Sequence, residues 1–311
     1  MKKHLCSCLA AALALLIILP ACGQAKTKTK TPADTGEASL LYADGYVYFT
    51  FGGGLYKERP DFSQQSRLVP GGAASVFYSY GRIGYVDGGS GDALTVMAPI
   101  GGGEEVLLKG AALPAATADA IYAIAGGKKN IVRIGNDGAA EELKPKNCLA
   151  FDVTEDALYY STARGLYRLE LGGKGDTRRL CGGNGITAIF AGARLREDGA
   201  APVGPAADVY FVRNGQLYCL NTNGGVCLVG DGLKGESWRV RGEYAYCVAD
   251  GQLMRQPVNG EPSDPLAGNC AAVAGAADGW VYFVSETEGA RQFERMKLDG
   301  SRRREVLVRE T

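Results

Sequence analysis

The sequence predicts an all-β fold built from seven copies of one short unit. A tyrosine recurs inside a short apolar segment at seven places in the 311-residue chain, namely Tyr48, Tyr85, Tyr122, Tyr159, Tyr210, Tyr246 and Tyr282. The intervals between them are 37, 37, 37, 51, 36 and 36 residues, and a nearly constant period of this length is typical of repeat architectures. No long helical periodicity follows residue 22, so we expect the repeated unit to consist of strands.

Each unit contains four short segments with the composition of β-strands. In the first unit these are residues 40–42, the segment around Tyr48, residues 54–56 and a segment ending in Leu68. Turns such as Asp44-Gly45 tolerate the positive φ of two-residue hairpins, while β-branched and aromatic residues suit a pleated, packed surface. Four antiparallel strands repeated in this way are the pattern of a β-propeller, so we predict one propeller of seven four-stranded blades over residues 39–311.

The last unit resembles the YWTD repeat of the lipoprotein-receptor propellers. It contains Tyr282-Phe-Val-Ser, then Phe293, then Leu298-Asp299-Gly300-Ser301, and is more similar still to bacterial relatives with a receptor-like propeller domain of unknown function. The Trp-Thr-Asp positions after the tyrosine are not kept, and seven units are counted where the receptor type has six. The resemblance implies a propeller, and no binding residue is carried over from it.

The N-terminal residues predict export and attachment to a membrane. Residues 1–21 combine a basic start with an apolar run, residues 9–19, that is too short for a comfortable membrane span. The run ends in Leu19-Pro-Ala-Cys22, which resembles the lipobox of bacterial lipoproteins. We therefore predict a lipoprotein signal peptide over residues 1–21 and lipidation of Cys22, which would hold the protein in membrane lipid on the extracytoplasmic face. An ordinary signal peptide with a cysteine near its end is the alternative.

Residues 22–38 are predicted to be a flexible tether. After Cys22 the segment contains Gly, Gln, Ala, Lys, Thr, Pro, Asp and Glu and no large apolar side chain, so it cannot bury enough surface to order itself. A coil of this length would hold the propeller at an r.m.s. distance of about 20 Å from the anchor.

Composition excludes several functions. The chain has 34 basic and 34 acidic residues, and removal of residues 1–21 leaves a net charge of −2, whereas a nucleic-acid binder would have a basic excess. The one histidine, His4, lies in the predicted signal peptide, so the mature chain lacks the imidazole of Ser-His-Asp and Cys-His systems and of many metal sites. We predict no catalytic residue, no metal and no cofactor.

Three functions agree with these exclusions. A tethered module that binds an unknown protein or glycan is favoured, because propellers present rigid loops. An extracytoplasmic enzyme that works without histidine, of the glycan hydrolase or lyase type, is one alternative. A structural component of an envelope assembly is the other.

Six cysteines fall in the predicted propeller, at positions 148, 181, 219, 227, 247 and 270. An exported protein permits disulfides, and six cysteines allow fifteen pairings. Cys219 and Cys227 flank residues 221–225, whose Asn-Gly turn predicts a hairpin with the two cysteines opposite each other. A Cys219–Cys227 disulfide is one prediction, and buried free thiols are the alternative for all six.

The candidate ligand site lies in the sixth unit. Loops that enter the innermost strands of a propeller form a funnel, and Trp238, Arg239 and Arg241 follow the longest such loop, residues 230–237. Strand alternation puts the two arginines on one face, and Arg with Trp suits an anionic or sugar ligand. The alternative is a packed Trp with two structurally bonded arginines.

The long interval between Tyr159 and Tyr210 predicts an insertion of about fourteen residues around residues 192–207. It lies between the first and second strands of the fifth unit and is expected to project from the face that carries those hairpins. Loops often carry function, but long insertions are also thermodynamically inexpensive, so a functional loop and a neutral insertion are both consistent with the sequence.

Overall fold

The computed structural model describes residues 38–61, 63–126, 129–172, 175–192, 207–221, 223–301 and 305–309. The predicted signal peptide, Cys22, nearly all of the tether and residues 193–206 of the insertion lie outside the described residues. Within the described ranges, no helix has both the length and the apolar character needed to cross a membrane.

The described residues form seven sheets, each of four consecutive antiparallel strands. Blade by blade, the strands are β1 Ser39–Ala43, β2 Tyr46–Phe51, β3 Gly54–Glu58, β4 Ser66–Val69; β5 Ala73–Ser79, β6 Arg82–Asp87, β7 Ala93–Met97, β8 Glu105–Leu108; β9 Ala111–Ala116, β10 Ala120–Ala125, β11 Asn130–Gly135, β12 Ala140–Glu142; β13 Ala150–Val153, β14 Ala157–Thr162, β15 Gly165–Glu170, β16 Thr177–Gly182; β17 Ile186–Ala191, β18 Ala207–Arg213, β19 Gln216–Asn221, β20 Val226–Leu228; β21 Glu236–Arg241, β22 Tyr244–Ala249, β23 Gln252–Pro257, β24 Asp264–Ala267; β25 Cys270–Ala277, β26 Trp280–Thr287, β27 Ala290–Lys297, β28 Glu305–Arg309. A short 3-10 turn, Gly88–Ser90, follows β6.

The seven sheets are arranged in a ring. The first strand of every blade contacts the first strands of the two neighbouring blades, and β25 contacts β1, so these seven strands are innermost. The protein is therefore a seven-bladed β-propeller, and the predicted fold class is confirmed. Because blades 1 and 7 are each complete in themselves, the ring closes by packing and not by a strand shared between the two ends.

The recurring tyrosines lie on the second strands and fill the spaces between blades. Each of the seven hydrophobic clusters combines side chains from two adjacent blades. All seven tyrosines are buried, and Tyr48 is wholly inaccessible to solvent. Burial of one such ring stabilises the fold by about 1.5–3 kcal/mol. The core is thus a set of interblade layers, which explains why the tyrosine is the most regular feature of the sequence.

The residue opposite each recurring tyrosine, on the third strand, is basic in five blades. These residues are Lys57, Arg133, Arg168, Arg255 and Arg295. Three of them donate to a carbonyl in the outer loop of the next blade: Lys57 to Pro99 at 3.1 Å, Arg255 to Leu298 at 2.8 Å and Arg295 to Pro60 at 2.8 Å. We call this contact the interblade latch. The third latch joins blade 7 to blade 1, so ring closure repeats a contact used elsewhere in the ring.

Aromatic packing strengthens the same closing interface. The rings of Phe49 on blade 1 and Phe293 on blade 7 stack with centroids 4.3 Å apart, and Tyr56 stacks on Phe49 at 5.2 Å. Aromatic pairs of this kind contribute about 0.5–1.5 kcal/mol beyond their buried area. The junction between the two ends of the ring is therefore densely packed.

Candidate functional site

A cavity of ≈ 50 Å³ lies where the innermost strands of blades 6, 7 and 1 meet. Its wall includes Leu40 and Tyr42 from β1, Arg239 and Arg241 from β21, and residues 274–277 from β25. The β25 segment is Ala-Gly-Ala-Ala, and these small side chains leave the space open. The volume suits about three or four waters or a small polar group of a larger ligand.

Gly275 sets the distance between β25 and β1 beside this cavity. A Cβ atom at this position would lie 3.2 Å from both the Cβ and the Cδ2 of Leu40, closer than an ordinary van der Waals contact. The glycine therefore lets blades 7 and 1 approach each other.

Arg239 has a structural role in the cavity wall. The side chain is buried, with 7% exposure, and its guanidinium donates to the carbonyls of Ala274 at 3.0 Å, Trp238 at 2.9 Å and Ala38 at 3.5 Å. Because Ala274 belongs to blade 7 and Ala38 precedes the first strand of blade 1, this one side chain ties three blades together. This geometry agrees with the predicted alternative of a structurally bonded arginine.

Arg241 lies on the same face of β21 as Arg239, as strand alternation predicts, and it also lines the cavity. It is the last residue of β21 and is partly exposed. An Arg side chain in this position can present a planar, bidentate donor to a carboxylate, phosphate or sugar oxygen. Ligand binding by Arg239 and Arg241 stays a prediction.

Trp238 lies elsewhere, and the grouping of this residue with the two arginines needs correction. Its side chain is 2% exposed and belongs to the cluster between blades 5 and 6. The indole N–H donates to the carbonyls of Gly215 and Gly235, both at 3.0 Å. Adjacent residues of a strand point to opposite faces, so Trp238 packs away from the cavity that the arginines line.

The site includes residues that the sequence reasoning missed. Tyr42 and the small residues of β25 line the cavity, yet neither was a candidate. The Ala-Gly-Ala-Ala segment at residues 274–277 was the available signal, because an innermost strand with so little side-chain volume leaves a gap beside it.

The two faces of the ring are distinguished by strand direction. We define the lower face as the one where the innermost strands begin, and the upper face as the one where they end. Tyr42, Arg241 and Ala277 are at or next to the ends of their strands, so the cavity lies toward the upper face. The sequence reasoning expected a funnel among the loops that enter the innermost strands, which belong to the lower face; the observed cavity is not lined by those loops.

The two most deeply buried thiols are unreactive because they stay protonated. Burial raises the pKa of Cys148 to about 12 and also raises the pKa of Cys247, which keeps both as neutral thiols near pH 7. Within the described ranges, no group of three or more His, Cys, Asp or Glu side chains could hold a metal ion.

Comparison with known proteins supports the propeller fold and identifies no family. No family model matches the sequence, and no curated protein matches it. Among solved structures, the chain is similar to PorZ, an essential bacterial surface component of the type-IX secretion system of Porphyromonas gingivalis, with a TM-score of 0.62 and 12% identity over 93% of this chain. The chain spans 39% of the length of PorZ.

The match to two further solved structures covers almost the whole length of each of them. The AfRom2 CNH domain has a TM-score of 0.59 and 10% identity, covering 88% of this chain and 96% of that domain. Hsv2 of Kluyveromyces lactis has a TM-score of 0.55 and 11% identity, covering 88% of this chain and 98% of that one. Such low identities establish a shared fold, and a fold alone does not define a function.

Proposed function

We propose that this protein is a lipid-anchored, extracytoplasmic binding module whose protein or glycan ligand contacts the upper face of the propeller. The observation that carries the proposal is the position of the two ends of the ring. β1 begins at Ser39 and β28 ends at Arg309, and both of these ends belong to the lower face. A tether from Cys22 would thus enter the ring on the face opposite the cavity and leave the upper face open to a partner.

The cavity supplies the polar recognition group in this proposal. Arg241 and Tyr42 line it close to the upper face, where a ligand carboxylate, phosphate or hydroxyl could accept from the guanidinium. Ligand sites commonly combine an apolar wall with a few fixed polar groups, and here Leu40 and the small residues of β25 form the apolar wall. The use of the same fold in PorZ, a bacterial surface component, is in keeping with this location.

The test is capture of a partner from envelope extracts that contain both protein and glycan, with the full-length chain as bait. An Arg241→Glu variant reverses the charge at the cavity and should lose the captured species. Arg164→Glu is the matched control, because Arg164 is exposed in the turn between β14 and β15 on the lower face, and it should retain capture. Equal capture by the two variants, or loss with Arg164→Glu alone, would contradict the proposal.

A further inference from the structure

The outer hairpin of blade 5 departs from the repeat at one column of the sheet. At the position opposite the recurring tyrosine, five blades have a basic residue, whereas blade 5 has Cys219 opposite Tyr210. On the next strand outward, the partner of Cys219 is Cys227. In blade 6 the same two positions are Arg255 and Asp264, which form an ion pair at 2.9 Å. Blade 5 thus has two thiols where its neighbour has opposite charges.

The ladder geometry suits a covalent bond between these thiols. The amide of Val229 donates to the carbonyl of Leu217 at 3.0 Å, and the amide of Asn221 donates to the carbonyl of Gly225 at 2.9 Å. These two bonds lie two residues to either side of the cysteine pair and place it in a hydrogen-bonded position of the antiparallel ladder. Opposed Cα atoms at such positions are about 5.5 Å apart, within the span of about 4.4 to 6.8 Å that disulfides bridge. Their Cβ atoms are about 5.5 Å apart, so the bond forms with a local approach of β20 toward β19 of about 1 Å.

Cys227 is the most accessible of the six described cysteines, and Cys219, like Cys181, is half-buried. Cys148, Cys247 and Cys270 are buried. The remaining candidate partner is Cys181, which packs in the cluster between blades 4 and 5, whereas Cys219 packs against the cluster between blades 5 and 6. Cys181 therefore lies on the opposite side of blade 5 from Cys219. All six cysteines have free thiols in this structure.

We propose that Cys219 and Cys227 form a thiol–disulfide exchange site on the rim of blade 5. The exposed Cys227, as thiolate, attacks one sulfur of an incoming disulfide, which is the oxidant, and expels the first thiolate of that molecule. Cys219 then attacks the Cys227 sulfur of the mixed disulfide and expels the second. Two electrons pass from the cysteine pair to the incoming disulfide, and the two cysteine protons are released to water or to the departing thiolates.

The asymmetry of the two thiols supports this order of events. Burial raises the pKa of the Cys219 thiol, and the nearby Cys227 raises it further, so the exposed Cys227 is the better first nucleophile. The incoming disulfide can belong to a small molecule such as glutathione disulfide or to a thiol oxidoreductase, and both provide the same sulfur chemistry.

The bond would fix an otherwise weakly held strand. β20 contains only Val226, Cys227 and Leu228, all exposed, and it pairs with β19 on one side. Oxidation would tie its central residue covalently to β19, and reduction would leave the strand held by a short ladder alone. The redox state of the pair is thus expected to set the opening rate of this outer hairpin.

Differential alkylation tests the bond. The full-length chain is purified without reductant, its free thiols are blocked in denaturant with light N-ethylmaleimide, and the protein is then reduced and labelled with the deuterated reagent. Mass spectrometry should find the heavy label on Cys219 and Cys227 and the light label on Cys148, Cys181, Cys247 and Cys270. In a second arm, pre-reduced native protein is given glutathione disulfide alone, which should restore the heavy label on the pair.

Heavy label on the pair in the second arm would show that a small-molecule disulfide is a sufficient oxidant. In a third arm a thiol oxidoreductase is added, and heavy label that appears only there would show that the oxidant is an enzyme. Light label on both cysteines under all three conditions, or a peptide that joins Cys219 to Cys181, would overturn the proposal. Cys227→Ser should leave Cys219 lightly labelled, whereas Cys181→Ser, the matched control, should leave the pair heavily labelled.

Hydrogen exchange tests the consequence for β20. Reduction should speed exchange of the β20 amides at least tenfold and leave those of β8, the corresponding strand of blade 2, unchanged. Equal exchange of β20 in oxidised and reduced protein would refute the proposed effect on the hairpin.

Discussion

At the scale of single residues, the closing interface includes one position where any side chain larger than hydrogen would crowd the neighbouring blade. Gly275 lies against Leu40, and the adjacent Arg239 bonds to the carbonyls of Ala274 and Ala38. Gly275 thus lets blades 7 and 1 approach each other, and Arg239 bonds blade 6 to both of them.

A larger side chain at position 275 should therefore loosen the ring. We expect Gly275→Val to lower the free energy of unfolding by about 1–3 kcal/mol, because its Cβ would press on Leu40 and force β25 and β1 apart. Gly71→Val is the matched control, since a Cβ at Gly71 meets no atom within 4 Å, and it should change stability much less. Denaturant titration measures both variants, and equal stability losses would contradict the proposed role of Gly275.

The lipid anchor is also a prediction about one residue. Cys22→Ser should abolish incorporation of labelled palmitate and release the protein from the membrane fraction, because the thiol is the proposed acceptor. Mass spectrometry of the wild-type N-terminus should find a lipidated Cys22. A Cys22→Ser protein that remains in the membrane, or a wild-type chain cleaved at another residue, would refute the prediction.

At the scale of elements, the interblade latch adds a polar contact to the apolar packing at three of the seven blade interfaces. A basic side chain on a third strand reaches the outer loop of the next blade, and the contact between Arg295 and Pro60 performs this function at the closure. The two residues are distant in the sequence and become neighbours only when the ring is complete.

Loss of the closing latch should cost more than loss of a surface ion pair. Arg295 is 2% exposed, so we expect Arg295→Met to lower the free energy of unfolding by about 1.5–3 kcal/mol, as for other hydrogen bonds to charged groups. Arg168→Met is the control, because its partners Asp156 and Glu170 are 73% and 56% exposed and such pairs contribute about 0–1 kcal/mol. Equal losses measured by denaturant titration would contradict the latch.

The elements were largely predictable from the sequence, and the cavity was not. Turn residues such as Asp44-Gly45 and the regular tyrosines mark the strands because hairpins and interblade packing demand particular residue types at fixed intervals. The cavity joins Leu40 to Ala276, which only ring closure brings together. The contact between Arg295 and Pro60 likewise joins residues from the two ends of the ring, and no local pattern specifies it. Trp238 was grouped with Arg239 by sequence proximity, although strand alternation separates their side chains.

At the scale of the whole molecule, stability comes from seven similar interblade layers instead of one central core. The recurring tyrosines occupy these layers, and burial is the main cause that raises the pKa of Tyr48, Tyr246 and Tyr282, the last to about 12. Each phenol is neutral in the folded state at a pH where the unfolded chain would already ionise it.

Alkaline unfolding should follow from these buried phenols. The stabilisation that the neutral buried phenols contribute is fully present below the ordinary tyrosine pKa of 10.0. It is lost as the pH rises through about 12, because in this range the unfolded state binds fewer protons than the folded state. Circular dichroism and tyrosinate absorbance should change together in one cooperative transition within this window. Titration of Tyr48, Tyr246 and Tyr282 near pH 10 without loss of β-structure would contradict the assignment.

The central claim, that a partner contacts the upper face while the anchor lies on the lower face, is tested most directly by site-specific photo-crosslinking in intact cells. A photoreactive amino acid is placed at Glu243, in the upper turn beside Arg241, or at Gln252, at the lower end of the same blade; both positions are exposed. The account predicts covalent partner adducts from position 243 and few from position 252. Adducts from position 252 with none from position 243 would contradict it.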